Sequence, residues 1–356
     1  MQANSIFFGI NGFGRVGRIT FRVWWLYYRD QITLKAINTS GSMEIEEWFH
    51  LVKYDTSYGL FDLDITINRS QSKDEASDDN PVLGTVTIKA DDGQTYDIAV
   101  TAQRDPAKIP WGKFEVTTVI ESTGVFRTEE KAALHLQGGA KKVIISAPAK
   151  GEGIGTTVLG VNEVNPSEKI HSNASCTTNC VAPVTQIMHQ VFGIKKAIMT
   201  TIHAYTDDQN TQDNSHKDLR RARSAAENII PTTTGAAVAT TQIIPELQGL
   251  FDGMAVRVPI ATGSLSDMVF VTSRSVTVEE VNQAFIDASK RDEWKGLLAV
   301  TNDQIVSSDI IGRRESSIVD LSLTKVIDGD LVKVVSWYDN EWGYCCRLAE
   351  EVSKLG

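Results

Sequence analysis

The stretch SIFFGINGFGRVGRITFRVWWLYY, residues 5–28, decides the fold of the first part of the chain. A β-rich apolar run at 5–10 leads into Gly12-Phe13-Gly14-Arg15-Val16-Gly17, and a helical pattern follows over 15–28. Glycines at this spacing let the backbone approach a pyrophosphate at a helix N-terminus, where the helix dipole favours anions. The stretch therefore predicts a Rossmann-type dinucleotide site, with a plain tight turn as the alternative.

Further strand and helix patterns extend this βαβ arrangement through the first half of the chain. Strands are predicted at 33–37, 116–121 and 142–146, a hairpin at 85–99 around Asp92-Gly93, and a helix at 129–137 that ends at Gly138 and Gly139. The polar, acidic segment 68–80 is interpreted as a solvated loop.

After Ser172 the pattern changes to longer strands with period-two alternation. They are predicted at 197–205, 254–259 and 268–274, with a hairpin at 322–338 around Asp328-Gly329. One helix begins near Thr234, and another begins at Thr277, where Glu280 completes a capping box. The fold class predicted is α/β: a Rossmann-type doubly wound cofactor domain plus an α+β catalytic domain with a mixed or antiparallel sheet.

Composition narrows the class of protein. A length of 356 residues suits two domains, and 42% hydrophobic with 22% charged residues is typical of a globular chain. No signal peptide or apolar run of about 20 residues is found, and the net charge of -10 disfavours nucleic acid, so we expect a cytoplasmic protein without membrane or nucleic-acid partners. The four cysteines fit reduced thiols and no metal site.

Cys176 is the first candidate for chemistry. It lies in the first turn of a helical pattern that begins at Ser175-Cys176-Thr177, where the positive end of the helix dipole would lower the pKa of a thiol. By its spacing alone, Cys176 is either a nucleophile or a small buried residue, and Cys180, Cys345 and Cys346 are interpreted as buried.

His203 is the second candidate, because it ends the β-rich run AIMTTIHAYT. An imidazole beside the thiol would accept its proton and activate it as a nucleophile. Thr206, the segment Thr232-Thr233-Thr234-Gly235 and Arg257 could supply donors to an anion, although an isolated arginine in a strand is more often a structural residue.

Motifs along nearly the whole chain, in the same order, resemble those of the glyceraldehyde-3-phosphate dehydrogenase family. The motifs are INGFGRVGR at 10–18, ESTGVF at 121–126, SNASCTTNC at 172–180, HAYT at 203–206, DLRRAR at 218–223, PTTTGAA at 231–237, VRVP at 256–259 and WYDNEWGY at 337–344. The resemblance implies phosphorylating oxidation of D-glyceraldehyde 3-phosphate to 1,3-bisphosphoglycerate through a Cys176 thioester, with His203 as general base and hydride transfer to NAD(P).

The resemblance also implies roles for the remaining site residues. Ser175, Thr177, Thr234 and Gly235 would surround the attacking inorganic phosphate, and Thr206, Arg221 and Arg257 would hold the phosphate of the substrate. The cofactor residues implied are Asn11, Gly12, Phe13, Gly14, Arg15, Val16, Ser122, Thr123, Gly124, Asn340 and Tyr344.

A domain division and an assembly follow from the same resemblance. The C-terminal helix, 341–354, would return to the cofactor domain, which gives a cofactor domain of 1–174 with 340–356 and a catalytic domain of 175–339. The polar segment 207–230 would lie along the cofactor of a neighbouring subunit in a homotetramer.

The sequence departs from the family pattern at the cofactor's 2'-position. Thr39 stands where NAD-selective members carry aspartate, and Ser215 stands where many have proline. With Ser40 adjacent and Arg104 in reach, we predict NADP use, preferred or alongside NAD.

Two other functions remain open from the sequence. One is the sister reaction of erythrose-4-phosphate dehydrogenase, which hydrolyses the thioester, and the other is a non-catalytic nucleotide-binding protein on the same scaffold.

Overall fold

The computed structural model describes residues 6–355, and these divide into two compact units. The first unit contains the chain up to Thr157, the segment Val164–Ala174 and the chain from Cys345 onward. The second contains Val158–Glu163 and Ser175–Tyr344. The start of the first predicted strand, at Ser5, lies outside the described residues.

The first unit is built on a nine-stranded sheet. Its nine strands are β1 Ile6–Asn11, β2 Ile32–Thr39, β5 Asp64–Arg69, β6 Val82–Lys89, β7 Thr95–Ala102, β8 Thr118–Glu121, β9 Lys142–Ile145, β10 Gly155–Thr156 and β11 Ile170–Ser172. Two further strands, β3 Tyr54–Asp55 and β4 Gly59–Leu60, form a separate antiparallel ribbon. Its helices are α1 Arg15–Val23, extended by a π-helical turn Trp24–Tyr28, then α2 Ile45–Lys53, α3 Glu129–Ala132 and α4 Leu134–Gln137.

The order of this sheet is β10-β11-β9-β8-β1-β2-β7-β6-β5. Strands β8, β1, β2 and β7 pair in parallel, whereas β5, β6 and β7 form antiparallel pairs. Strand β1 has β2 on one side and β8 on the other, and the connection after β7 crosses from the first side to the second, so the strand order reverses beside β1. Ligands of open α/β sheets bind beside the carboxyl ends of the strands at such a point.

Aromatic packing fixes the loop between β1 and α1. The ring of Phe21 on α1 lies 5.6 Å from Phe49, 5.8 Å from Trp24 and 6.1 Å from Phe13, all measured between ring centroids. Such contacts contribute roughly 0.5–1.5 kcal/mol each beyond area burial. The glycine-loop residue Phe13 is thus anchored between α1 and α2.

The second unit contains a mixed eight-stranded sheet with helices. Its elements are α5 Cys176–Phe192, β12 Ile194–Ala204, β13 Ile230–Thr233, α6 Ala236–Ile243, β14 Phe251–Val258, β15 Ser264–Thr272, α7 Val278–Ala288, β16 Leu298–Thr301, β17 Ser317–Asp320, β18 Lys325–Ile327 and β19 Leu331–Tyr338. The helix α8, Trp342–Leu355, begins in this unit and continues in the first.

The order of the second sheet is β13-β14-β12-β15-β19-β17-β16, and β18 pairs with β19. Strands β12 and β14 are parallel, whereas β12 with β15 and β15 with β19 are antiparallel. The predicted α/β class with a mixed second sheet is confirmed, as are both hairpins and the capping box at Thr277.

Three details differ from the sequence prediction. The predicted loop 68–80 begins too early, because Asn68 and Arg69 belong to β5 and pair with β6. The predicted helix 129–137 is interrupted at Ala133, where ψ is -18° and the backbone tightens. Helix α2 was not predicted at all, although Glu44 and Glu47 close a capping box at its start.

The unit boundaries also depart from the predicted division. The segment around Asn340 groups with the second unit, because the Oδ1 atom of Asn340 accepts hydrogen bonds from the Gly263 amide and the Ser264 hydroxyl. Val158–Glu163 groups with the second unit too, and Gly160 there is packed against Trp294.

Glu351 is a fully buried carboxyl on α8. Its Oε2 atom accepts a hydrogen bond of 2.6 Å from the Asn173 amide. Burial raises the pKa of Glu351 to about 7, although hydrogen bonds from Asn173 and Thr157 act in the opposite direction. The folded protein therefore holds this proton more tightly than an unfolded chain does.

We expect the free energy of unfolding to fall as pH rises from about 4.5 to about 7 because of Glu351, since the unfolded carboxyl ionises first. Replacing it by Gln removes this dependence, so Glu351→Gln should gain on the order of 3 kcal/mol relative to wild type between pH 4.5 and 8. Urea unfolding midpoints measure the difference, with the exposed Glu130→Gln as control. A parallel pH dependence in wild type and Glu351→Gln would contradict the assignment.

Candidate functional site

The glycine loop after β1 has the geometry of an anion-binding turn. Gly12 has φ of 92°, a conformation that favours glycine, and a Cβ atom on Gly17 would lie 2.1 Å from the carbonyl oxygen of Gly12. Gly14 precedes α1, and a Cβ atom there would meet no atom within 4 Å. The loop is therefore tightly closed on one side and open at Gly14, as a phosphate at a helix N-terminus requires.

A cavity of about 540 Å³ opens at this loop. Predicted cofactor residues that line it are Asn11, Gly12, Phe13, Gly14, Thr39, Ser40, Arg104, Ser122 and Thr123. Sequence reasoning missed the lining residues Asn38, Trp48, Gln103, Val125 and Phe126. Trp48 was missed because helix α2 was missed. Val125 and Phe126 lie within the motif ESTGVF, and Asn38 precedes Thr39, so the sequence offered a signal for these three.

The rim of the cavity near the end of β2 is hydroxyl-rich. Thr39 is buried and its hydroxyl donates to the carbonyl of Thr101 at 3.1 Å, whereas Ser40 and Arg104 are exposed. Among the described residues that line the cavity there is no aspartate or glutamate. A negatively charged group at this rim would meet a guanidinium and hydroxyls rather than a carboxylate.

Several predicted cofactor residues lie elsewhere. Arg15 forms an ion pair of 2.6 Å with Asp55, and the carbonyl of Val16 accepts a contact from the Cys345 thiol at 3.5 Å. Gly124 follows Thr123 with φ of 72°. Ser215, Asn340 and Tyr344 belong to the second unit: Ser215 is exposed on the segment between β12 and β13, and the other two are buried.

Cys176 is the first residue of α5, in the second unit. The hydroxyl of Ser175 caps this helix by accepting from the amide of Thr178 at 3.0 Å, and Ala174 before it has φ of 56°. The Cys176 sulfur lies 3.4 Å from Nε2 of His203. The fold thus joins the thiol and the imidazole, which the sequence separates by more than twenty residues.

The register of β12 against β14 decides what surrounds His203. His203 is paired with Arg257 across the parallel strands. The His203 Nδ1 atom lies 2.7 Å from both the carbonyl of Ala204 and Nη1 of Arg257, and that Nη1 donates to the same carbonyl at 2.9 Å. With its hydrogen on Nδ1, the ring donates to Ala204 and directs the lone pair of Nε2 at the sulfur.

Burial sets the protonation of this pair. It lowers the pKa of His203 to about 3, with the positive charge of Arg257 acting in the same direction. It raises the pKa of the Cys176 thiol, although Arg257 and hydrogen bonds from Thr177 favour the thiolate. The expected lowering by the helix dipole is therefore outweighed, because desolvation of the sulfur is the larger effect. The resting pair is a neutral thiol beside a neutral imidazole.

Tyr338 was missed as a site residue, although it lies in the motif WYDNEWGY. Its hydroxyl is 3.0 Å from the hydroxyl of Thr177 and 2.7 Å from that of Thr201. Its ring meets His203 edge-on at 5.9 Å between centroids. Tyr338 therefore supports the first turn of α5 and the imidazole together.

Arg257 also has the features of an anion-binding group. Its Nε atom is buried and has no hydrogen-bond partner within residues 6–355. Burial lowers the pKa of its guanidinium, and the nearby charge of Arg221 adds to this effect. Two close guanidinium groups repel each other unless an anion lies between them.

The other predicted phosphate residues are arranged by local contacts. Arg221 is held by ion pairs with Asp208 and Asp218, and its Nε donates to Thr232 at 2.9 Å. Thr206 donates its amide to Oε1 of Gln209 at 3.4 Å. The buried Nε2 of Gln209, a residue that sequence reasoning missed, has no partner in the described chain.

Thr234 and Gly235 precede helix α6. The hydroxyl of Thr234 accepts from the amide of Ala236 at 3.2 Å, and Gly235 occupies the cap position of the helix. Both lie on the loop after β13, which pairs with the strand of Arg257.

Residues 6–355 contain neither a metal-binding cluster nor a membrane-spanning helix. No group of three His, Cys, Asp or Glu side chains there could hold a metal ion, and no helix there is long and apolar enough to cross a bilayer.

Comparisons with known proteins agree with both units. Residues 6–129 match the family model described as glyceraldehyde 3-phosphate dehydrogenase, NAD binding domain, and residues 175–340 match glyceraldehyde 3-phosphate dehydrogenase, C-terminal domain. The chain is 50% identical over 345 residues to glyceraldehyde-3-phosphate dehydrogenase 2 of Streptomyces avermitilis, covering 96% of each protein.

Other relatives give similar agreement. The glyceraldehyde-3-phosphate dehydrogenase of Streptomyces coelicolor is 50% identical over 96% of each chain. That of Mycolicibacterium smegmatis is 46% identical over 98% of each chain.

Alkylation of Cys176 by iodoacetamide should accelerate steadily as pH rises through neutrality, because only the thiolate reacts and burial raises the pKa of the thiol. No step from His203 is expected between pH 5 and 8, since its pKa is about 3. Arg257→Met should slow alkylation at pH 8 about tenfold by removing a charge that favours the thiolate. Mass spectrometry of the labelled cysteine measures the alkylation rate at each pH and in each variant.

The exposed Arg223→Met, whose partner Asp213 lies 2.7 Å away, is the matched control and should react like wild type. A rate that is already constant below pH 7 would show that the thiolate is the resting form and would contradict the role given to burial.

Proposed function

The chain belongs to the glyceraldehyde-3-phosphate dehydrogenase family, and we propose that Cys176 carries the acyl group and His203 the proton in its reaction. That reaction is the phosphorylating oxidation of D-glyceraldehyde 3-phosphate to 1,3-bisphosphoglycerate. The observation that carries the assignment is the 3.4 Å contact between the Cys176 sulfur and His203 Nε2 at the start of α5.

The neutral resting pair determines how the reaction begins. As the sulfur attacks the aldehyde carbon, His203 accepts the thiol proton at Nε2, while its Nδ1 hydrogen remains on the Ala204 carbonyl. Backbone amides at the start of α5 and His203 stabilise the oxyanion, and one such donor is worth roughly 3–4 kcal/mol. The nicotinamide, when bound, accepts the hydride from the resulting hemithioacetal.

Phosphorolysis then releases the product. An oxygen of inorganic phosphate attacks the thioester carbon, the carbon–sulfur bond breaks, and the Cys176 sulfur takes back the proton held by His203, while the proton of the phosphate passes to solvent. We assign Ser175, Thr177, Thr234 and Gly235 to this phosphate. Thr206, Arg221 and Arg257 are assigned to the phosphate of the substrate, which is supported by the unpartnered Nε of Arg257.

The cavity at the glycine loop suits a dinucleotide. Gly12, Gly14 and Gly17 provide the tight turn, the open approach and the close packing that a pyrophosphate site needs. Asn11, Phe13, Ser122 and Thr123 line the same cavity. Asn340, whose Oδ1 is occupied by Gly263 and Ser264, has its amide nitrogen to offer to a carboxamide.

Use of both NAD and NADP is proposed from the rim of this cavity. The exposed hydroxyl of Ser40 lies at this rim, Thr39 lacks the carboxylate charge that would repel a 2'-phosphate, and Arg104 supplies a cation. Ser215 is exposed on its segment and would add a further hydroxyl. NADP use would favour the reductive direction of the reaction, as in gluconeogenesis, in addition to the oxidative direction of glycolysis.

Initial rates test the reaction and the cofactor together. Glyceraldehyde 3-phosphate should be oxidised with either cofactor, and only when inorganic phosphate is present. Arg104→Ala removes a positive charge from the rim, and Thr39→Asp adds a negative one. Each variant should lower kcat/KM for NADP about tenfold and leave kcat/KM for NAD near wild type. Thr39→Asn is the neutral control. A wild-type enzyme that uses NAD alone would contradict the proposal.

Phosphate-independent turnover in the same assay would indicate the erythrose-4-phosphate type of reaction, and no turnover would indicate a non-catalytic protein. The names of the relatives from Streptomyces and Mycolicibacterium favour neither alternative.

A homotetramer and a cytoplasmic location are also proposed. The face of the second sheet opposite His203 carries Ile198, Thr200 and Ile202 on β12, which pair with Val269, Asp267 and Leu265 on β15. On the neighbouring β14, Met254 is 41% exposed, and Ile198 is 60% exposed. The partly exposed apolar side chains on this face, which surround Thr200 and Asp267, support a protein interface there. Cys176 and Cys180 as thiols suit a reducing compartment.

Ile198→Asp should dissociate the assembly, because it would bury a charge at that face. Sedimentation velocity should give a tetramer for wild type and smaller species for the variant. Leu60→Asp, at a site in the first unit that is 62% exposed, is the control and should remain a tetramer. A monomeric wild type would disprove the proposed assembly.

A further inference from the structure

Glu121 is a buried carboxylate beneath the cofactor cavity, with no part in the chemistry described so far. It ends strand β8 and is only 1% exposed. Its Oε2 atom accepts from the Asn11 amide at 2.5 Å and from Nε2 of His135 at 3.0 Å. Its Oε1 atom accepts from the amide of Thr123 at 2.7 Å and from the hydroxyl of the same residue.

His135 is neutral in this arrangement. The indole of Trp111 donates to its Nδ1 at 3.1 Å, so the ring hydrogen is on Nε2 and points at Glu121. Glu121 is therefore surrounded by donors, which hold an acceptor-only carboxylate in a dry site. The donors of Asn11, Thr123 and His135 all point at the same carboxylate.

A series of hydrogen bonds runs from Glu121 across the carboxyl ends of the neighbouring strands, and each amide in it has a fixed orientation. Asn11 on β1 has its amide nitrogen on Glu121, so its Oδ1 accepts from the amide of Asn38 on β2 at 2.7 Å. The Oδ1 of Asn38 then accepts from the Thr101 hydroxyl at 2.7 Å and the Gln103 amide at 3.0 Å, both at the end of β7. We call Glu121, Asn11, Asn38, Thr101 and Gln103 the polar belt.

The polar belt holds the two loops that form the cavity wall. The amide of Gly12 donates to the carbonyl of Asn38 at 3.0 Å. The hydroxyl of Ser122 donates to the carbonyl of Gly12 at 2.7 Å, and Thr123 is held directly by Glu121. Asn11, Asn38, Gln103 and Thr123 of this network also line the cavity.

We propose that Glu121 is a positioning residue for the dinucleotide, which fixes the glycine loop and the 122–126 loop through Asn11 and Thr123. This rests on the proposed binding of NAD(P) in this cavity. A neutral Gln at the position cannot accept on both sides, because its amide nitrogen faces either Thr123 or the donors of Asn11 and His135. Two hydrogen-bond donors would then face each other, so either the glycine loop or the 122–126 loop must move to separate them.

Glu121→Gln should therefore raise the Kd of both NAD and NADP about tenfold, which matches the typical loss of a hydrogen bond to a charged group. In turnover, KM for the cofactor should rise while kcat at saturating cofactor and KM for the aldehyde stay near wild type. The rate of Cys176 alkylation should not change. Isothermal titration calorimetry of the whole enzyme gives the Kd values directly.

Two further variants separate positioning from general loss of stability. Thr101→Val removes a donor at the far end of the belt with little change in shape, and should raise the cofactor Kd about threefold. It carries the test if Glu121→Gln fails to fold. Thr117→Val removes a hydrogen bond of 2.7 Å to the Phe7 carbonyl in the same unit, away from the cavity, and should lower Tm without changing the Kd.

The outcomes are distinct. Wild type that binds neither cofactor would overturn the proposed function itself. Wild type that binds, with Glu121→Gln or Thr101→Val binding equally well, would overturn the role of the belt. That role would also be overturned if Thr117→Val weakens binding in proportion to its loss of Tm, since the effect would then be only structural.

Discussion

Burial of ionisable side chains is the constraint on which both sites depend. Around Cys176 and His203, removal of water raises the pKa of the thiol and lowers that of the imidazole, which favours the neutral form of both. Around Glu121, the same removal of water demands a donor for each lone pair that is offered. One physical effect therefore acts on the thiol and imidazole pair in one unit and on the hydrogen-bonded carboxylate beside the cavity in the other.

The positive charges are placed where anionic ligands are proposed to bind, in a chain with a net charge of -10. Arg257 is held in the sheet beside His203, and Arg221 is oriented by Asp208 and Asp218. Arg104 lies on the cavity rim. Because the chain as a whole is acidic, local cations of this kind are needed to attract phosphate groups. The carboxylates of Asp208 and Asp218 fix the direction of Arg221.

Sequence reasoning succeeded where a residue's role is set by its immediate neighbours along the chain. The glycine loop, the hairpin turns and the cap at Thr277 are local features, and each was predicted near its observed position. It failed where packing decides. Trp48 on the missed helix α2 lines the cavity, and Tyr338 touches both Thr177 and Thr201 through contacts more than a hundred residues apart in the chain. The pKa of Cys176 was misjudged because a helix dipole is visible in sequence and desolvation is not.

By itself, the sequence determined the α/β class, the dinucleotide motif and the candidates Cys176 and His203, since these depend on local periodicity and on motif order. Only the tertiary structure decided that the two lie 3.4 Å apart, that strand register puts Arg257 beside His203, and that Glu121 accepts a hydrogen bond from Asn11 beside the cavity. The reason is that hydrogen-bond partners across a sheet are chosen by register and burial, which long-range packing fixes after the local elements have formed.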